Sequence, residues 1–177
     1  MTTKTKIPDF KNYIRDIPDF PKKGILFKDI TTLLARGEML QAVVNQFIEK
    51  YEPLKIQKVV GVESRGFIFA APLAYALGAG LVPVRKKGKL PYQTTSVTYA
   101  LEYGEDTLQM HTDAIHPGER TLVIDDLLAT GGTAKATCQL IEQLKGNVMG
   151  LGFLIELTAL RGRSVLSNYD VFSLIPL

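Results

Sequence analysis

The chain has 177 residues, 46% of them apolar and 22% charged, a balance ordinary for one globular domain with a substantial core. A formal charge of +3 is too modest to demand nucleic acid, and no apolar run is long enough to span a membrane. The single cysteine, Cys138, excludes an internal disulfide and, with no signal-peptide core at the N-terminus, points to the cytoplasm; two histidines are too few for a metal cluster.

Residues 17–31 carry Pro18, Pro21 and Gly24 and read as an irregular segment. Met39, Leu40, Val43, Val44, Phe47, Ile48 and Tyr51 recur at helical spacing, which predicts an amphipathic helix over 36–51. A short strand follows at 57–62, then a small-residue helix at 66–77 that Gly78 stops. Pro72 belongs in the first turn of that helix or bends it. Residues 80–84 form a second buried strand, and 85–94 a basic loop. Residues 95–103 and 106–112 alternate apolar with polar and break at Gly104-Glu105, the pattern of a β-hairpin. A strand at 121–125, a helix at 131–145 closed by Gly146, and strands at 147–156 and 170–175 complete the chain. This alternation predicts an α/β fold, with a mostly parallel sheet flanked by helices on both faces.

The stretch from Thr121 to Thr133 carries the most chemistry. Leu122-Val123-Ile124 has the composition of a strand buried on both faces, and it ends in Asp125 and Asp126, where open α/β sheets place their ligands. Ala129-Thr130-Gly131-Gly132-Thr133 follows at a helix start, offering backbone N–H groups, two hydroxyls and a helix dipole to a phosphate. Carboxylates suit sugar hydroxyls or a metal. No Gly-Lys-Thr/Ser follows the glycines, so this is not a Walker loop. Glu63-Ser64-Arg65-Gly66 ends the first strand and should meet that loop along one edge of the sheet. Alone it reads as a salt-bridged strand-end arginine; beside a phosphate loop, Arg65 can grip two oxygens while Gly66 lets the backbone approach. Arg85-Lys86-Lys87-Gly88-Lys89-Leu90-Pro91 alone would be a solvated turn, and without interleaved aromatics it is a poor nucleic-acid patch.

The 121–133 stretch resembles the phosphoribosyl-diphosphate (PRPP) binding motif of the type I phosphoribosyltransferases. The basic block with Leu101-Glu102-Tyr103-Gly104, together with Phe20-Pro21-Lys22-Lys23-Gly24-Ile25-Leu26-Phe27-Lys28-Asp29-Ile30 and Glu63-Ser64-Arg65-Gly66-Phe67, is similar to the adenine phosphoribosyltransferases within that family. The resemblance runs from about Pro18 to Leu144, and the blocks come in the family's order; Glu63 stands where an Asp is common.

The resemblance implies one phosphoribosyltransferase domain over residues 1–177, with a base-binding hood at 1–33 and a flexible hairpin lid between Lys86 and Tyr103. The implied reaction transfers ribose 5-phosphate from PRPP to adenine, giving AMP and pyrophosphate. PRPP contacts fall on Glu63, Ser64, Arg65, Gly66, Arg85, Lys86, Lys89, Asp125, Asp126 and Ala129, Thr130, Gly131, Gly132 and Thr133. Leu26, Phe27, Lys28 and Arg65 fall to adenine; Glu102, with Arg65, Lys89 and Tyr103, falls to catalysis. Mg²⁺ is implied through the substrate rather than direct protein ligands, as are a cis Glu63–Ser64 bond and a homodimer in which a basic residue near Arg85 reaches the partner's site. A PRPP-sensing regulator on this fold and an enzyme for another purine such as xanthine are the alternatives. Regulators of the repressor type usually add a DNA-binding domain, and the stretch before Pro18 is too short for one.

Overall fold

The computed structural model describes residues 8–100 and 104–177, which divide into two units, Met1–Gln46 and Phe47–Leu177. In the first unit, strand β1 (Arg15–Pro18) pairs antiparallel with β2 (Leu26–Asp29), so the segment expected to be irregular is a small hairpin. Its turn chemistry hides it from a periodicity reading. Asp19 and Gly24 both take left-handed backbone (φ 56 and 88), Gly24 N donates to Asp19 Oδ1 at 2.7 Å, and the Phe20–Pro21 bond is cis. Asp29 closes the hairpin, its carboxylate accepting from Thr31 N at 2.9 Å and Arg15 Nε at 2.9 Å. Those bonds, the backbone one foremost, hold its pKa down at about 2. Helix α1 (Thr31–Leu34) follows, then α2 (Gly37–Tyr51), whose stripe Val43, Phe47 and Tyr51 is fully buried, as the spacing predicts.

The second unit is built on β3 (Lys58–Val62), α3 (Gly66–Leu77), β4 (Gly80–Lys86), β5 (Thr94–Ala100), β6 (Glu105–His111), β7 (Arg120–Leu128), α4 (Gly132–Gln143), β8 (Asn147–Glu156), α5 (Gly162–Val165) and β9 (Val171–Pro176). Its seven strands lie in the order β5-β6-β4-β3-β7-β8-β9. The run from β4 to β9 is parallel, and the β5–β6 hairpin is antiparallel at one edge. Alternation along the strands gives each face its own helices. Val60, Val62, Val82, Val84, Val123 and Phe153 join Leu140 and Ile141 of α4 in one core. On the opposite face Gly61 lets α3 press in, where an added Cβ would lie 2.8 Å from Ala70 Cβ. Among the described residues no helix is long and apolar enough to cross a membrane.

Helix α3 keeps the expected span and its cap at Gly78 (φ 63), with Pro72 inside the helix rather than in its first turn. Two boundaries differ from the sequence reading. Strand β4 extends to Lys86, because β6 pairs with Arg85 and Lys86, which therefore belong to the sheet rather than the loop. Lys145 (φ 62), not Gly146, takes the left-handed turn after α4; Gly146 is glycine because a Cβ would sit 2.8 Å from both Ile115 and Ile141.

One buried polar group stands out in this core. Tyr51 is fully enclosed, its ring stacked 6.5 Å from that of Phe47, and its hydroxyl has no hydrogen-bond partner among the described residues. Burial pushes its phenol pKa far above the ordinary range. Tyr51→Phe should therefore raise the free energy of unfolding by about 1 kcal/mol, read from denaturant melts with an unchanged slope. A comparable loss would show that the hydroxyl is bonded in solution.

Candidate active site

The strand order reverses at β3: its first crossover leads to β4 on one side, and β7 lies on the other. Open α/β sheets bind ligands beyond the carboxyl ends of the strands at such a reversal. There the chain leaves β3 through Glu63-Ser64-Arg65, with a cis Glu63–Ser64 bond, and enters α3 at Gly66. A Cβ on Gly66 would lie 2.8 Å from Ile124 O and 2.9 Å from Asp125 Oδ1, so the loop rests directly on β7.

The acidic pair does not end β7. The strand continues to Leu128, but its pairing with β3 stops at Ile124; from Asp125 onward it pairs only with β8. Asp125 and Asp126 thus line a strand edge left open where β7 outruns β3. Asp126 is 4% exposed, and its Oδ2 lies 3.1 Å from Arg65 Nε without an aligned hydrogen bond. Asp125 keeps some accessible surface, yet burial and the neighbouring Asp126 charge push its pKa well up. Burial also raises Asp126, with the Arg65 guanidinium opposing it. Two carboxylates beside one guanidinium form an acceptor-rich pocket that favours hydroxyl donors or added positive charge.

Beyond Leu128, Gly131 takes φ 88 and caps α4, and no side chain closes the helix N-terminus. Its first-turn N–H groups and dipole favour an anion without the help of a cationic side chain. Thr133 Oγ1 is 3.0 Å from the hydroxyl of Tyr99 on β5, and a Cβ on Gly132 would lie 3.3 Å from the Tyr99 ring. Tyr99, missed by the sequence reading, borders the loop; its alternation with Val97 along the strand was the available signal.

The other expected residues are distributed as follows. Arg85 Nε donates to Glu63 Oε2 at 2.9 Å and its Nη1 to Lys89 O at 3.2 Å, so Arg85 is tied to its own chain's loop. Lys86 Nζ pairs with Asp106 at 3.0 Å, which raises its pKa. Thr130 is exposed and Ala129 half-buried. In the first unit, Leu26 is 49% exposed, Phe27 meets Phe20 edge-on at 5.1 Å, and Lys28 Nζ bonds Asp16 at 2.7 Å. Glu102 and Tyr103 lie outside the described residues.

The raised pKa of Asp125 fixes the sign of its effect on stability. A carboxyl whose folded pKa exceeds its unfolded value favours folding below the unfolded pKa and loses that contribution as pH rises through the folded one. Asp125→Asn should thus raise the melting temperature at neutral pH, with the gain vanishing below about pH 4. Melts across that range check it; a variant less stable at pH 7 would contradict the burial argument.

Comparison with known proteins agrees with this geometry. Residues 29–176 match the phosphoribosyl transferase domain model. An adenine phosphoribosyltransferase of Clostridium beijerinckii is 58% identical over 94% of this chain and 97% of its own length. The crystal structure of adenine phosphoribosyltransferase from Rhodothermus marinus superposes with a TM-score of 0.92 at 53% identity, covering 95% of this chain and 96% of that one. The Saccharomyces cerevisiae enzyme, solved with an imino-altritol bisphosphate and adenine, gives 0.88 at 42% identity over 93% of this chain and 95% of its own. The chain belongs to the adenine phosphoribosyltransferases of the phosphoribosyltransferase family.

Proposed function

We infer that this chain transfers ribose 5-phosphate from PRPP to adenine, giving AMP and pyrophosphate in purine salvage. The observation that carries the reading is the edge of β7 beyond its pairing with β3, where buried Asp126 and part-buried Asp125 stand just ahead of a helix whose N-cap is the glycine Gly131. Backbone N–H groups of Ala129–Thr133, with the hydroxyls of Thr130 and Thr133, hold the 5-phosphate. Asp125 and Asp126 accept hydrogen bonds from the ribose hydroxyls, and their charge favours the oxocarbenium-like centre that grows at the anomeric carbon. The bond from that carbon to the pyrophosphate oxygen breaks, N9 of adenine forms the new bond, and its proton passes to Glu102. Arg65, Lys89 and Tyr103 take the departing charge. Arg85 and Lys86 meet the pyrophosphate, exchanging their carboxylate partners for it.

The donor set suits Mg²⁺ delivered by its substrate. Hard oxygen ligands are at hand, and Asp126 Oδ2 is buried without a hydrogen-bond partner, while no group of three metal-ligating side chains forms among the described residues. Asp125 and Asp126 would hold the ion through the ribose hydroxyls, and when bound it neutralises the leaving pyrophosphate. In the hood, the Leu26 backbone reads the adenine amine and ring nitrogen, Phe27 stacks on the purine, and Lys28 borders it. A hydrogen-bonding reader of this kind separates adenine from hypoxanthine, whose acceptor replaces the amine.

A homodimer belongs to the same reading. Helix α3 is apolar all round, and its outer side leaves Ile68 38% and Tyr75 91% exposed. A helix without a polar side normally has both sides covered, and a second copy would cover this one. The site works in the cytoplasm, without nucleic acid or membrane, consistent with one unpaired thiol and a charge of +3.

Assay of AMP formation from PRPP with adenine, hypoxanthine, guanine and xanthine tests the reaction. Adenine should be used almost alone, and Glu102→Gln should cut turnover by roughly 100-fold while equilibrium binding of both substrates stays unchanged. A preference for xanthine, or PRPP binding without turnover, would favour the alternatives instead. For the interface, Tyr75→Glu should convert a sedimenting dimer to monomer; an unchanged dimer would move the interface elsewhere.

A further inference from the structure

The segment between β8 and β9 carries no role in the reaction as described, yet a network of hydrogen bonds ties it to both strands. Arg161 takes a left-handed turn (φ 52) into α5, and Arg163 then reaches back to the end of β8. Its Nε lies 2.8 Å from Glu156 Oε1, and its Nη2 donates to Glu156 Oε2 at 2.8 Å and to Ser173 Oγ at 3.0 Å. Nη1 donates to Val171 O at 2.6 Å, and Ser173 Oγ donates to Glu156 Oε2 at 2.5 Å. Glu156 is 5% exposed, so this is a two-pronged pair on a buried carboxylate, anchored to β9 as well. With all three guanidinium nitrogens engaged, Arg163 is not itself a phosphate ligand.

The residue beside it touches the phosphate loop. A Cβ on Gly162 would lie 2.3 Å from Ala129 O and 2.9 Å from Leu128 Cδ1. Reciprocally, a Cβ on Gly131 would lie 2.7 Å from Gly162 O and 3.3 Å from Val165 Cβ. The two backbones therefore stack with no side chain between them. A helix as short as α5 has little cohesion of its own, so what holds Gly162 in place is the neighbouring clamp.

We propose that Arg163 is a positioning residue for the phosphate loop: its pair with Glu156 presses the Gly162 peptide against Ala129 and Gly131, fixing the direction of the loop N–H groups. The proposal rests on the reading that Ala129–Thr133 holds the 5-phosphate of PRPP. Thr133 Oγ1 meets the Tyr99 hydroxyl on one side of the loop, and the Gly162 backbone supports it from behind.

The test compares wild type, Arg163→Leu, Arg163→Lys and Gly162→Ala by steady-state kinetics and by calorimetric titration with ribose 5-phosphate. Arg163→Leu and Gly162→Ala should each raise KM for PRPP by about fivefold or more, with adenine KM moving less than about twofold. Arg163→Lys, which keeps the charge but not the fork, should recover part of that loss. Lower thermal stability with PRPP KM unchanged would make the clamp a mere staple of the sheet edge and overturn the proposal. If Arg163→Leu does not fold, Gly162→Ala decides alone: it keeps the ion pair and crowds only the loop, so an unchanged PRPP KM refutes the coupling. If wild type forms no AMP from PRPP and adenine, the functional reading falls separately. The clamp is then judged by ribose 5-phosphate affinity, where equality between wild type and Gly162→Ala overturns it.

Discussion

Everything at this site turns on two adjacent carboxylates held where water is scarce and where, among the described residues, Arg65 is the cation beside them. Asp125 and Asp126 share the open edge of β7, with Arg65 3.1 Å from Asp126. Isolated charge in such surroundings is costly, and removing a partner from a buried pair costs about 3–5 kcal/mol. The free protein therefore carries a local excess of negative potential in its crevice. Hydroxyl donors, a growing carbocation or a substrate-borne cation all relieve it, and an apolar ligand would not. Ligand selectivity and the instability of the empty site have one cause.

The phosphate end is built on the opposite principle. No side chain caps α4, and Gly131 needs its left-handed φ to aim the turn. The resulting site is electropositive through peptide dipoles alone, which carry no titrating group and lose no rotamer freedom on binding. Because the acid pair and the loop lie on one continuous stretch of chain from β7 to α4, the spacing between them is limited by covalent geometry. The loop's orientation is not, and for that the packing of Gly162 behind Gly131 matters.

Much of this was legible in the sequence because its signals are local. The apolar run before Asp125, the Gly131-Gly132 pair and the helical stripe ending at Tyr51 each declare themselves within a dozen residues. What escaped detection depends on partners distant in the chain. The β1–β2 hairpin consists of four-residue strands around Pro18, Asp19 and Pro21, too short for alternation to register. The true end of β7 is set by its pairing with β8 rather than by the carboxylates that interrupt its apolar run. Gly162 carries no local signal, since the reason for a glycine there is Ala129 O, 33 residues earlier, standing where a side chain would be.

The basic block shows how the ion-pair partners of a side chain stay hidden in a sequence. Arg85 and Lys86 are expected from the resemblance to contact PRPP, and in the structure Glu63 and Asp106 hold them. Lys86 is 58% exposed at its side chain and Arg85 36%, and pairs this open to solvent contribute about 0–1 kcal/mol. Exchanging such partners for a polyanion costs little, and until then the pairs hold the side chains near the crevice and prevent mutual repulsion. Arg65 differs: its partner Asp126 is buried, so withdrawing it would strand a carboxylate. The cations at this site thus fall into two kinds, exchangeable ones on β4 and a fixed one at the start of α3, and the burial of the carboxylate partner decides which is which.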